Sequence, residues 1–291
     1  QIEQPTSGKP DNAKHFTISR PTLFESGSNF IAGLNQALAQ RQKADRTVLV
    51  FVHGYNTNFT AAVLRMAQFV HDSGFKGVPV LFTWASRGRA IDYAYDSNSA
   101  LQARAYLVEL ARHLAKTNAK DFSIVAHSMG NLVTLEAMTA VAKLNISPRA
   151  PLNSVVLASP DVDIDLFREH IKELGSLNRK IFVLISKDDK ALNLSRTIAG
   201  GIDRVGDAEP DKLAALGVRV VDLSEINDPS SANHSKFADS PAIVQLIGDR
   251  INAGGTLETS TSEPTQAAIG SVFRGFRKAA TGAGGTVVLA N

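Results

Sequence analysis

The stretch Ala126-His127-Ser128-Met129-Gly130 sets a serine between two small residues. It follows the apolar run "FSIVA" and precedes a run holding Leu132, Val133, Leu135, Ala137 and Val141. A strand that turns directly into a helix brings the two ends close together, so the residues flanking the turn must be small. The pattern is G-x-S-x-G, met here with Ala126 in the first small position. The first N–H groups of the helix have no partners within it, and its dipole favours developing negative charge. The chemistry this allows is nucleophilic attack by Ser128, with the Met129 amide as one donor of an oxyanion hole. The competing structural role for Ser128 is a helix cap.

A second oxyanion donor has to come from the turn after an earlier strand. His53-Gly54-Tyr55-Asn56 follows the apolar run "TVLVFV", and glycine lets the backbone turn sharply towards the serine. The Tyr55 N–H is assigned as that donor. The competing role is an ordinary loop with Thr57 or Asn58 as the next helix cap. A serine nucleophile also needs a base, and the base an orienting carboxylate, in the chain order Ser, acid, His. Of the seven histidines, His234 alone follows every plausible acid near a sheet edge, in the polar loop "NDPSSANHSKF". Two places could supply the acid. Asp189 follows the run "KIFVLIS", two strands after the serine strand. Asp161 follows the run before it. Asp189 is the preferred acid and Asp161 the alternative, with Asp188 expected to face solvent or cap the next helix.

The run Asp161-Val162-Asp163-Ile164-Asp165 resembles a calcium loop only superficially. The glycine and glutamate such a loop needs at its sixth and twelfth places are Leu166 and Lys172. Capping a helix over 165–174 and shaping the site rim are the expected roles. No GxxxxGK[ST] or strand-linked GxGxxG stretch is present, and there are no cysteines, so the expectation is chemistry without a cofactor or metal.

These residues need a frame. Six short apolar runs, at 47–52, 78–84, 122–126, 154–159, 180–186 and 218–223, alternate with amphipathic stretches such as 58–73 and 97–118. Nearly continuous apolar strands alternating with helices predict an α/β fold, a mostly parallel sheet with helices on both faces. One domain over 15–252 is expected, with a loose polar arm at 1–14. A Gly/Ser/Thr-rich tail follows at 253–291, lying free or extended on the domain, in which "SVFRGFRK" (271–278) could serve interaction. Hydrophobic residues at 44% suffice for a large core, and a net charge of +3 is too weak to imply nucleic acid as a partner. No apolar run reaches the length of a transmembrane helix. The chain starts at Gln, which leads to the expectation of an exported protein whose leader has been removed.

With these residues assembled, the chain resembles the α/β-hydrolase superfamily and, more narrowly, the bacterial family of alpha/beta hydrolases of unknown function (DUF900). The matching stretches are "VFVHGYNTNF", "LFTWASRG", "YAYDSNSA", "IVAHSMGNLV", "LASPDVDIDLF", "SKDDKALNLSR" and "ANHSKF". The resemblance implies a cofactor-free Ser-Asp-His hydrolase with roles on Ser128, Asp189 and His234, and with Tyr55 and Met129 as oxyanion donors. It also implies frequent export or lipid anchoring. The expected activity is a carboxylesterase acting on small esters with short or medium acyl chains. The alternatives are a non-catalytic binding module and a lactonase or acyltransferase with the same triad. The segment 160–179 is too short for a large inserted lid, which leaves 200–216, with its glycines, as a rim element expected to move.

Overall fold

The computed structural model describes residues 11, 13–18, 21–144, 150–198, 200–226, 233–252 and the backbone of 286–288. Most of the arm at 1–14, and all of the tail at 253–291 except 286–288, lie outside the described residues, "SVFRGFRK" included. Along the chain run α1 (Gly27–Ala39), β1 (Thr47–Val52), α2 (Phe59–Asp72), β2 (Val78–Phe82), α3 (Tyr93–Leu114), β3 (Asp121–His127) and α4 (Gly130–Lys143). Then come β4 (Leu152–Ala158), α5 (Ile164–Leu174), β5 (Ile181–Ile185), α6 (Lys190–Ile198), α7 (Pro210–Ala214) and β6 (Arg219–Asp222). The chain closes with α8 (Lys236–Asp239), α9 (Pro241–Asn252) and β7 (Thr286–Val288).

The sheet order is β2-β1-β3-β4-β5-β6-β7. All pairs are parallel except the last, where Thr286–Val288 runs antiparallel to β6. Each of the six apolar runs is a strand. Residues 78–84 shorten to 78–82 because Trp84 leaves the ladder to bond His53 instead. The helix expected over 97–118 starts at Tyr93 and stops at Leu114, where Thr117 turns back on the Leu114 carbonyl through both its amide and its hydroxyl.

The strand β1 shows why the runs are apolar throughout. Val48, Val50 and Val52 belong to the core on the face covered by α1, α3, α4 and α5, and Leu49 and Phe51 to the core on the face covered by α2, α8 and α9. A strand with period two must be apolar at every position when helices cover both faces. Each fully buried Val, Leu or Phe contributes about 1.5–3 kcal/mol, so the frame holding the strand ends is stiff. No helix among the described residues is long and apolar enough to cross a membrane.

The strand order also locates a crevice. From β1 the chain passes to β2 on one side, and then β3 forms on the other. Where the order reverses, the connecting segments diverge and open a cleft beyond the carboxyl ends of the strands. The residues leaving β1 and β3 at that cleft are His53-Gly54-Tyr55 and Ser128-Met129-Gly130.

Candidate active site

Ser128 leaves β3 with φ +53, a left-handed backbone that a side chain at Cβ disfavours by about 1–2 kcal/mol. Three further non-glycine residues among those described share this conformation: Asn56, Ser159 and Asn233. They stand after β1, after β4 and beside His234, which meets Asp189 after β5, so all four lie beyond the carboxyl ends of the strands. Strain of this kind persists only where the surroundings over-determine it, and it marks functional sites. Here Ser128 N–H donates to the Ala158 carbonyl at 3.0 Å. The buried Asn131 side chain donates to both the Ser128 and Ala158 carbonyls, at 2.7 and 3.0 Å. Met129, not Ser128, occupies the N-cap position of α4.

Two glycines allow β1 to approach this turn. A Cβ on Gly54 would lie 2.8 Å from the Ser128 Cβ, and one on Gly130 would lie 2.4 Å from the His53 carbonyl oxygen. The turn bearing Tyr55 is therefore pressed against the turn bearing Ser128, with Met129 next in the chain. Asn58 caps α2 through Ala61 N–H at 2.9 Å, as the loop reading of 53–58 also expected.

His53 fixes the orientation of the Gly54–Tyr55 peptide. The Trp84 N–H donates to His53 Nε2 at 3.0 Å, so the ring proton sits on Nδ1, which donates to the Gly54 carbonyl at 2.9 Å. In a trans peptide the N–H points opposite to the C=O, so this bond aims the Tyr55 N–H away from His53. Burial lowers the His53 pKa and keeps the ring neutral, and the ring stacks on Trp84 with centroids 5.2 Å apart. Asp96, wholly buried, ties the same loop to its neighbour. It accepts from Ser86 Oγ at 2.6 Å, Arg87 N–H at 2.9 Å and Asn56 N–H at 3.4 Å.

Past the end of β5, His234 Nδ1 lies 2.7 Å from Asp189 Oδ2. Asp189 is fully buried, and its other oxygen accepts from the Ala191 and Leu192 amides at 3.0 and 3.1 Å, so it also caps α6. A carboxylate held in this way accepts the Nδ1 proton of His234 and leaves Nε2 as the basic nitrogen. His127 Nε2–H donates to the His234 backbone carbonyl at 3.1 Å, and its ring packs between the rings of His234 and Phe237. Burial, followed by the neighbouring His234, pushes the His127 pKa well down, which suits a neutral donor.

Asp188 is exposed, in line with the first of its two expected roles, and does not cap α6, a task its neighbour performs. Its carboxylate holds Lys236 Nζ at 2.6 and 2.8 Å and Asn233 Nδ2 at 3.0 Å. Burial works against that charge, but the bonds from Lys236 and Ser186 outweigh it and hold the carboxyl below its usual range.

Asp161 is committed elsewhere. It accepts from Tyr93 Oη at 2.9 Å and from the Ser195 hydroxyl, and pairs with Arg204 at 3.3 Å. Burial, followed by the Asp161 charge, pushes the Tyr93 pKa up to about 12. This network cross-links α3, α6 and the segment after β4, close to Tyr55, whose ring meets Tyr93 edge-on at 5.3 Å. Asp163 caps α5, as expected, through Asp165 and Leu166 N–H. The segment 200–216 is pinned rather than free over 204–206. Val205 and Gly206 donate to the Val162 and Pro160 carbonyls at 2.9 and 3.0 Å. Nothing in the sequence reading assigns a role to the side chains of His53, Asp96, His127 or Lys236. A polar residue directly at the end of an apolar strand was the available signal for His53 and His127.

Among solved structures, esterase B from Lactobacillus rhamnosis is similar at 10% identity, with 76% of this chain and 79% of that chain covered and a TM-score of 0.48. A Pyrobaculum calidifontis esterase is 12% identical, with 71% and 76% covered and a TM-score of 0.42. Carboxyl esterase 2 from Tuber melanosporum is 13% identical, with 71% and 78% covered and a TM-score of 0.43. No curated protein matches the chain. Residues 31–250 match the family described as alpha/beta hydrolase of unknown function (DUF900), and with its parallel sheet wrapped by helices the chain belongs to that family and has the α/β-hydrolase fold.

Proposed function

We propose that the protein is a serine hydrolase of carboxylic esters, acting on short or medium acyl chains. The observation that carries this reading is the bond between His234 Nδ1 and buried Asp189, with the His234 ring packed against His127, the residue before a serine in a left-handed turn. Ser128 Oγ attacks the acyl carbon while His234 Nε2 takes its proton. Asp189 holds the tautomer and stabilises the imidazolium. The carbonyl oxygen becomes an oxyanion facing the Tyr55 and Met129 N–H groups, the first aimed by His53 and the second at the start of α4. Collapse of the tetrahedral intermediate breaks the ester C–O bond, and His234 returns the proton to the leaving alcohol. A water, deprotonated by His234, then attacks the acyl-enzyme, releasing the acid and restoring Ser128.

A fluorophosphonate probe tests the nucleophile. Wild type is expected to carry one adduct on Ser128 and Ser128→Ala none, with hydrolysis of 4-nitrophenyl butyrate lost in step. A folded wild-type protein that takes no adduct would overturn the reading in favour of a binding module. Labelling without turnover on an ester panel would point instead to lactones or acyl transfer.

A further inference from the structure

Asp188 stands beside the acid that holds the His234 ring, and its contacts lead to the same loop. Its Oδ1 accepts from Lys236 Nζ at 2.6 Å and from the Ser186 hydroxyl. Its Oδ2 accepts from Lys236 Nζ at 2.8 Å and from Asn233 Nδ2 at 3.0 Å, and the Asp188 carbonyl takes a second bond from Asn233 Nδ2 at 3.3 Å. Asn233 directly precedes His234, and Lys236 follows it by two residues.

The grip on Lys236 is buried at the lysine end, and the grip on Asn233 lies at the surface. Lys236 is 1% exposed, and an ammonium buried to that degree needs a carboxylate close by. Its ammonium also donates to the Leu223 and Ser224 carbonyls at 3.0 and 3.3 Å, just past the end of β6, so its three protons are shared among four acceptors. Asn233 is held at φ +56, a left-handed conformation that Asn tolerates and that sets the direction in which His234 leaves it.

We propose that Asp188 is a positioning residue for His234, fixing the backbone on both sides of the histidine while Asp189 fixes its ring. The proposal rests on the Ser128–His234–Asp189 reading. Two adjacent carboxylates on one turn after β5 thereby divide the work: one sets the tautomer and tilt of the imidazole, the other its distance from Ser128. Catalysis is sensitive to that distance, because a displacement of about 1 Å costs on the order of a hundredfold in rate.

The test is Asp188→Asn, which keeps the side-chain size and removes the charge. Three quantities are read: kcat and KM for 4-nitrophenyl butyrate, the fluorophosphonate labelling rate, and the downfield proton resonance of His234 Nδ1–H. The last is assigned by its absence from His234→Gln. Folding is checked by circular dichroism. The expected result is a fall in kcat and labelling rate of roughly ten- to a hundredfold with KM unchanged, and a broadened or lost Nδ1–H resonance. Wild-type kcat with an unaltered resonance overturns the proposal. If Asp188→Asn does not fold, Asn233→Asp takes its place. It leaves the Lys236 pair intact and sets a carboxylate against Asp188, with the same expected loss and the same overturning result. Should wild type itself take no adduct at Ser128, the hydrolase reading fails separately. The Nδ1–H resonance then decides this proposal alone: its loss in the variants supports it, its persistence sinks it.

Discussion

At the scale of single residues, the two candidate acids separate by what they touch. Asp189 meets His234, whereas Asp161 meets Tyr93, Ser195 and Arg204. Their replacements should therefore fail in different ways. Asp189→Asn is expected to lower kcat by about 10³–10⁴-fold, because an amide no longer selects the Nδ1–H tautomer. Asp161→Asn leaves Arg204 without its carboxylate in a buried place and should cost about 3–5 kcal/mol of stability while retaining most of the turnover. Urea unfolding and steady-state kinetics on both variants separate the two effects. The reverse pattern, turnover lost with Asp161 and kept with Asp189, would make Asp161 the acid. This choice was only partly legible in the sequence. Strand counting favoured Asp189, but both aspartates follow apolar strands, and which one faces the histidine depends on the path of a loop more than forty residues further on.

At the scale of elements, the candidate site rests on the contact between the ends of β1 and β3. Packing there is close enough that two positions exclude any side chain. Gly130→Ala would force a Cβ to 2.4 Å from the His53 carbonyl and 2.9 Å from the Val52 carbonyl, both backbone atoms of the turn that carries Tyr55. Overpacking of this kind typically costs about 1–3 kcal/mol. Gly130→Ala should therefore lower the urea midpoint and, by pushing the two turns apart, slow fluorophosphonate labelling. An unchanged labelling rate would mean that the two turns do not act together. The strands themselves were readable because burial on both faces demands unbroken apolar runs. The helix bounds were less so. The start of α3 depends on Tyr93 and Asp96, which are polar or amphipathic and belong to the helix only because their partners lie on other elements.

At the scale of the molecule, buried histidines couple folding to acidity. His53, His127 and His170 all have pKa values lowered from 6.5, in each case chiefly by burial. The unfolded chain therefore binds protons more readily than the folded one as pH falls below 6.5, and stability follows the opposite course. Their contribution is complete above that pH and is lost as pH drops towards the folded-state values. Urea midpoints should fall between pH 7.5 and pH 5, and less steeply in His170→Gln, which lies away from the cleft. A midpoint that does not move over that range would contradict the assignment of neutral buried rings. Much of the molecule follows from local sequence. Apolar runs with no polar face require a sheet covered on both sides. Small residues around Ser128 require a tight turn, and the order of serine, carboxylate and histidine along the chain limits the partners. These are local demands, met within a few residues of chain. Only the tertiary structure decided which carboxylate reaches His234, that His53 clamps the Gly54 peptide, and that Asp188 reaches across to Lys236. Each of those contacts joins residues far apart in sequence, or turns on where a neighbouring strand ends, and side-chain type alone carries no record of such distances.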